Sequence, residues 1–287
     1  MQFPIIKKTT TGSKILIFLL LFIFGLVFST VLGMFFVNIV DVDMTSVRGL
    51  QILQICNQVI GFLLPSLLYV MLVKEEPFNY LGLKKLPIWS LLGIVMMFTI
   101  VPFNAWIAEW NEGIAFPESM KAIEESLRNL KELNDATAEK LMLGSNLVVG
   151  ILIFGLLAAI SEEILFRSVI QKAFIRLFKN AHVAIIVTAF VFSAFHGDIY
   201  GFFPRFILGL MLGYMFWLSK SIWASIIMHF TNNTTIVMLY FLNKKEVINI
   251  DVENFGSTDN VLLIVLSLVV TVAIFIICNR LKCKYDN

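Results

Sequence analysis

The chain has 287 residues, of which 59% are hydrophobic and 15% charged, with a formal net charge of +2. A soluble domain of this length carries about a quarter charged residues, so a mean hydropathy of +0.87 excludes a water-soluble monomer and makes the bilayer the solvent. Three cysteines, Cys56, Cys278 and Cys283, form no C-x-x-C pair and no even-numbered framework, which excludes a disulfide scaffold and a cysteine-ligated zinc.

Runs of about 20 apolar residues predict an all-α, polytopic transmembrane bundle of about eight spans. In chain order they are 14–38, 51–73, 86–108, 146–168, 182–200, 204–219, 221–243 and 260–279. The first follows Lys7, Lys8 and Lys14, is longer than a signal-peptide core and lacks a clear small-x-small site, so an uncleaved span is expected. With the N-terminus cytoplasmic, thirteen Lys/Arg fall inside and eight outside, while three acids fall inside and fifteen outside. The positive-inside rule therefore places both termini in the cytoplasm.

The chain is expected to form one integral membrane domain over 1–287, with a catalytic core at 146–243 and an extracytoplasmic loop at 109–145. Within the loop, Met120, Ile123, Leu127, Leu130 and Leu133 recur at helical spacing. They predict an amphipathic helix that lies on the membrane or caps the bundle.

Chemistry concentrates in three apolar segments. Glu162 and Glu163 adjoin each other in the fourth, and a charge at bilayer depth costs at least about 2.5–3.5 kcal/mol. Glu163 and Arg167 stand four apart on one helical face, where they can pair. Glu162 points about 100° away and is left to face the interior as a general base of raised pKa. His196 closes Phe192-Ser193-Ala194-Phe195-His196 in the fifth segment, and His229 shares a face with Asn233 in the seventh. Together they make a hydrolytic set, with water activated by Glu162 and held by His196, and an oxyanion site from His229 and Asn233. Phe192 could orient the His196 ring or simply pack. The same groups could instead hold zinc, with Glu162, Glu163, His196 and His229 as candidate ligands, although no zincin spacing is present. A juxtamembrane pair of acids and histidines hydrogen-bonded between helices are the plain structural readings. Depth agrees only in part. Glu162 comes about 7 Å from the end of a span that stops at Arg167 and His229 about 10 Å from the start of the seventh, whereas His196 comes about 20 Å from His182.

Glu162-Glu163-x-x-x-Arg167, Phe192-x-x-x-His196 and His229-x-x-x-Asn233 resemble the three ordered motifs of the CPBP family. That family comprises the type II CAAX prenyl endopeptidases and the bacteriocin-processing or abortive-infection-like membrane proteins. The stretches Pro204–Gly213 and Ser221–His229 also look typical of it, so the resemblance covers about 146–243. It implies that Glu162 activates water, that Glu163 with Arg167 supports it, that His196 assists, and that His229 with Asn233 forms the oxyanion site. One departure is Ser168, where a glycine often follows the arginine.

The resulting expectation is an intramembrane endopeptidase acting on a membrane-associated or lipid-modified peptide or protein. It would lie in a bacterial cytoplasmic membrane, with its site toward the cytoplasmic side. Membrane lipid and the peptide substrate are the expected partners; no nucleic acid is expected, and the sequence leaves the oligomeric state open. A non-proteolytic membrane regulator that binds a partner is the alternative. A proton-relay transporter is weaker, because no inverted repeat or paired broken helix accompanies the Glu and His residues.

Overall fold

The computed structural model describes residues 6, 10–144, 146–252 and 254–285. All regular structure among them is helical. The helices are α1 (Thr11–Val40), α2 (Val47–Val73), the short α3 (Pro77–Leu81), α4 (Ile88–Thr99), α5 (Val101–Glu112), α6 (Lys121–Gly144), α7 (Leu147–Phe178), α8 (Ala181–Ala194), α9 (Phe202–Ser219), α10 (Ile222–Lys244) and α11 (Val261–Tyr285).

Five of these, α1, α2, α7, α9 and the Val261–Lys282 part of α11, are long and apolar enough to cross a membrane. The α4–α5 pair makes a sixth if it is taken as one span bent by 48°. The bend falls where Pro102, the second residue of α5, cannot donate a backbone hydrogen bond into the preceding turn. α8 is short at 14 residues. α10 is 23 residues long, but His229, Asn232 and Asn233 dilute its apolar character.

α7 is the central helix. Half of its most apolar window is buried, against 17% for α1 and α11. Those two outer helices turn Leu20, Phe24 and Val27, or Leu262, Val265 and Val269, outward, as lipid-facing helices do.

Two boundaries differ from the sequence expectation. The fourth segment does not stop at Arg167, because α7 continues without interruption to Phe178. Counted from Phe178, Glu162 lies about 24 Å along the helix, and His196 lies about 21 Å from His182. Ending the span at Arg167 accounts for the disagreement with His196, while His229, about 10 Å from the start of α10, no longer matches Glu162 in this count. The fifth segment is the reverse case: the sequence expectation runs to 200, yet the helix ends at Ala194. Gly197 adopts φ +67°, and Asp198 accepts a hydrogen bond from the Tyr200 N–H at 3.0 Å, so the chain turns there. His196 therefore sits in a turn beyond the helix.

Short contacts bind the two ends of the bundle. At one end the Ile222 N–H donates to Gly82 O at 2.9 Å, Ser221 Oγ donates to Lys84 O at 2.9 Å, and Ser168 Oγ donates to Leu81 O at 2.5 Å. Ser168, the departure from the family pattern, thus anchors α3 to α7. Gly82 has φ +81° and closes α3 in the left-handed region that glycine enters without strain. At the opposite end Asn111 Nδ2 donates to Ile199 O at 3.0 Å, and Lys140 Nζ donates to Thr45 O at 2.6 Å. The latter bond fastens α6 across that end as a cap. α6 turns Ile123, Leu130 and Leu133 outward, while its Lys131 pairs with Glu112 of α5 at 3.3 Å.

Candidate active site

The two glutamates lie near the middle of α7, where the helix is not uniformly α. Residues Ile151–Leu157 and Ile164–Gln171 form wider, π-type turns on either side of Ala158–Glu163. Such turns re-aim side chains and recur at functional positions. Gly155 lets α10 approach α7 closely, since a Cβ there would come 2.6 Å from Thr234 Oγ1.

Glu163 and Arg167 are both fully buried, and Arg167 Nε donates to Glu163 Oε2 at 2.9 Å. The other oxygen, Oε1, lies 3.0 Å from Nδ1 of His229. Both oxygens of Glu163 are therefore committed. A buried carboxylate so paired keeps its charge, because each partner favours the ionised form. The guanidinium also faces the Phe192 ring, with Cζ 5.0 Å from its centroid, while Nη1 and Nη2 find no hydrogen-bond partner. The cation–π contact partly offsets that deficit.

Glu162 is 8% exposed and has different surroundings. Gln58 Nε2, from a π-type turn of α2, donates to Glu162 Oε1 at 3.1 Å. Gln58 is itself oriented by Ser161, whose Oγ donates to Gln58 Oε1. Glu162 Oε2 faces His229 Nε2 at 3.8 Å, beyond hydrogen-bonding distance. His229 thus lies between the two carboxylates, bonded to one and only facing the other.

His196 Nδ1 donates to the Phe192 carbonyl at 2.8 Å. A carbonyl can only accept, so the Nδ1 proton is fixed and a neutral ring keeps its lone pair on Nε2. The ring packs edge-on against Phe192 at 5.0 Å, and Phe192 meets His229 at 5.9 Å. His196 is also near enough to Glu162 for a direct electrostatic interaction. Of the six residues singled out in the sequence, Arg167, His196 and His229 meet around the Phe192 ring, with Glu163 bonded to two of them and Glu162 facing His229. Asn233 lies one turn beyond His229, and its Nδ2 donates to Phe154 O of α7 at 3.0 Å, which takes one of its two N–H groups. His182 stands apart, with Nδ1 3.1 Å from Tyr214 Oη.

Sequence reasoning missed Gln58. An amide at bilayer depth beside Asn57 was its only signal, and amides in spans commonly just bridge helices. It also missed the polar cavity of about 570 Å³ under α6, lined by Asn232, Glu109, Asp135 and the Asp198–Arg205 ion pair. Asn232 Nδ2 donates to Asn233 Oδ1 at 3.1 Å, so this cavity abuts the site.

The zinc expectation was tested on the donors themselves. Among the described residues no group of three or more His, Cys, Asp or Glu side chains is placed to hold a metal ion. Both oxygens of Glu163 are already used, which removes it as a ligand; Glu162 Oε2, His196 Nε2 and His229 Nε2 remain uncommitted, but they are not placed as a metal-holding group.

Fold and site define a helical integral membrane protein with a buried carboxylate–histidine centre. Residues 144–235 match the family model described as Type II CAAX prenyl endopeptidase Rce1-like, and over that segment the chain is similar to this family. The match spans less than half of the chain and contains all three motifs. No curated protein and no solved structure matches the chain.

Proposed function

We propose that the protein is an intramembrane endopeptidase in which Glu162 activates water against a peptide bond of a membrane-associated or lipid-modified substrate. The observation that carries this reading is the unequal treatment of two adjacent carboxylates. Glu163 is held on both oxygens by Arg167 and His229. Glu162 has one oxygen steadied by Gln58, while the other faces the histidines.

In the proposed reaction a water proton passes to Glu162 and the oxygen attacks the carbonyl carbon. His196 Nε2 accepts the second hydrogen bond of that water. The oxyanion is held by the remaining Asn233 N–H, with His229 positioned beside it by the bond between its Nδ1 and Glu163. Collapse of the intermediate breaks the C–N bond, and the proton on Glu162 goes to the leaving amine. The polar cavity beside Asn232 supplies water. The family's printed description favours a CAAX-type, lipid-modified protein as substrate.

The topology that accompanies this reading has eight passes, with α4–α5 as one bent crossing and α8 and α10 as two more, and both termini in the cytoplasm. The unit 146–243 is its catalytic core.

The purified protein, offered a library of membrane-proximal and prenylated peptides, tests the proposal. Cleavage that disappears in Glu162→Ala, His196→Ala and His229→Ala supports it. If nothing is cleaved, and a partner still binds all three variants, the regulator reading replaces it.

A further inference from the structure

A second polar site lies at the end of the bundle where α3 meets α7. A cavity of about 580 Å³ opens there, and Lys74, Lys84, Lys172 and Arg176 converge on it. Three of these cations surround one ring: Lys74 Nζ, Lys172 Nζ and Arg176 Cζ lie 4.2, 4.9 and 4.9 Å from the centroid of Tyr80. Arg176 Nη1 also donates to Tyr80 Oη at 3.2 Å, and Lys172 donates to the Tyr80 carbonyl.

Charge is not balanced inside this cavity. Its acids are Glu75 and Glu76, and Glu76 Oε2 accepts a hydrogen bond from Asn79 at 2.7 Å. Among the described residues none of the four cations forms an ion pair with a carboxylate. Burial, followed by the neighbouring charges of Arg176, Lys14 and Lys172, pushes the Lys74 ammonium down to about 8. Cations held together at this cost lack an anion.

An apolar groove of about 210 Å³ adjoins it between α1, α7 and α8, lined by Ile15, Phe18, Tyr69 and Phe174 among others. Tyr69, a wall of this groove, interacts electrostatically with Arg176 of the basic cavity. A charged cavity next to a greasy groove at a helix-bundle end suits an amphiphile better than a small ion.

We propose that the basic cavity binds the phosphate of an anionic phospholipid, whose acyl chain lies along the adjoining groove. The basic cavity shares no lining residue with the Glu162 centre, although the far end of the groove is lined by Phe166 and Phe195 beside it; the proposal does not depend on the peptidase reading. A phosphate diester needs several convergent donors, and Lys74, Lys84, Arg176 and the Asn79 amide stand around the cavity to supply them.

Native mass spectrometry of the full chain, with phosphatidylglycerol and phosphatidylcholine of equal chain length, tests the site. The wild type is expected to retain phosphatidylglycerol in preference. Lys84→Gln and Arg176→Gln are each expected to weaken that retention about fivefold, while Lys84→Arg keeps it and Lys121→Gln, on α6 at the other end, leaves it unchanged. Equal retention of the two lipids, or equal losses in Lys84→Gln and Lys121→Gln, overturns the proposal. In a parallel arm inorganic phosphate is added as competitor. If it displaces phosphatidylglycerol at equal concentration, the site takes free phosphate and the lipid assignment falls. The melting temperature of Lys84→Gln in detergent, unchanged from the wild type, serves as an independent check of folding.

Discussion

Glu163 and His229 are joined by a 3.0 Å contact between Oε1 and Nδ1, and this one bond separates the duties of the glutamate pair. It fixes the ring of His229 so that Nε2 looks toward Glu162. Together with the Arg167 ion pair it turns Glu163 into a support, and leaves its neighbour as the member of the pair with an uncommitted oxygen.

The two glutamates should therefore fail in different ways. Glu162→Gln can still accept the Gln58 bond through its amide oxygen, so the fold should survive while cleavage falls by about a hundredfold to ten-thousandfold. Glu163→Gln leaves Arg167 buried without its counter-ion, which costs about 3–5 kcal/mol. Thermal melting in detergent, set beside the cleavage rate, distinguishes them. Equal melting temperatures for the two variants would count against the division of roles.

Chelation gives a second contrast. Because Glu163 is committed to Arg167 and His229, and no group of three His, Cys, Asp or Glu among the described residues is placed to hold a metal ion, a strong chelator is expected to leave cleavage unchanged. Bound zinc is expected to remain well below one ion per chain by elemental analysis. Activity that is lost on chelation and restored by zinc would show that the site rearranges around a metal.

Gln58 offers a test at a position far from the motifs in sequence. Its amide holds Glu162 Oε1 at 3.1 Å and accepts from Ser161, so Gln58→Leu leaves Glu162 Oε1 without its donor, while Ser161 Oγ keeps its 2.8 Å bond to the Leu157 carbonyl. That should cost about 1–3 kcal/mol and slow cleavage, with Gln58→Glu worse than Gln58→Leu because a second acid would face Glu162. A chevron or melting series combined with single-turnover kinetics separates the two effects.

How much of this was visible beforehand follows from the range of each interaction. The Glu163–Arg167 pair is local, four residues apart on one helix, and helical geometry alone predicts it. The meeting of Glu162, His196 and His229 needs three helices to pack; it was legible only because polar groups inside apolar runs demand partners. The Gln58–Glu162 bond joins residues 104 apart, and nothing in the spacing of either segment encodes it. Hydropathy also misjudged the end of α8, since Phe195, Ile199 and Tyr200 are apolar but belong to a turn set by Gly197 and Asp198. It missed the continuation of α7 past Arg167 because Lys172 and Arg176 break the apolar run without breaking the helix.

Lys74 makes stability depend on pH. Its pKa falls from 10.5 to about 8 in the folded protein, first through burial and then through nearby cations. The unfolded chain therefore binds more protons between pH 8 and 10.5, so stability rises with pH across that window and the penalty is fully present below it. Lys74→Met should flatten this part of the pH profile of the melting temperature. A wild-type profile that is flat or falling from pH 8 to 10 contradicts the arrangement.

Phe192 ties the charged and catalytic halves of the site together. Its ring lies 5.0 Å from the Arg167 guanidinium, 5.0 Å from the His196 ring and 5.9 Å from the His229 ring, while its carbonyl holds His196 Nδ1. Phe192→Leu keeps the carbonyl and much of the volume but removes the π face, worth about 2 kcal/mol for a desolvated cation. The expected outcome is a modest loss of stability with a larger loss of cleavage, because both histidines lose the surface that orients them. Phe192→Ala should go further and cost about 3–5 kcal/mol through the cavity it leaves. Should Phe192→Leu cleave at the wild-type rate while melting lower, the ring is packing only, and the Phe192 carbonyl alone positions His196.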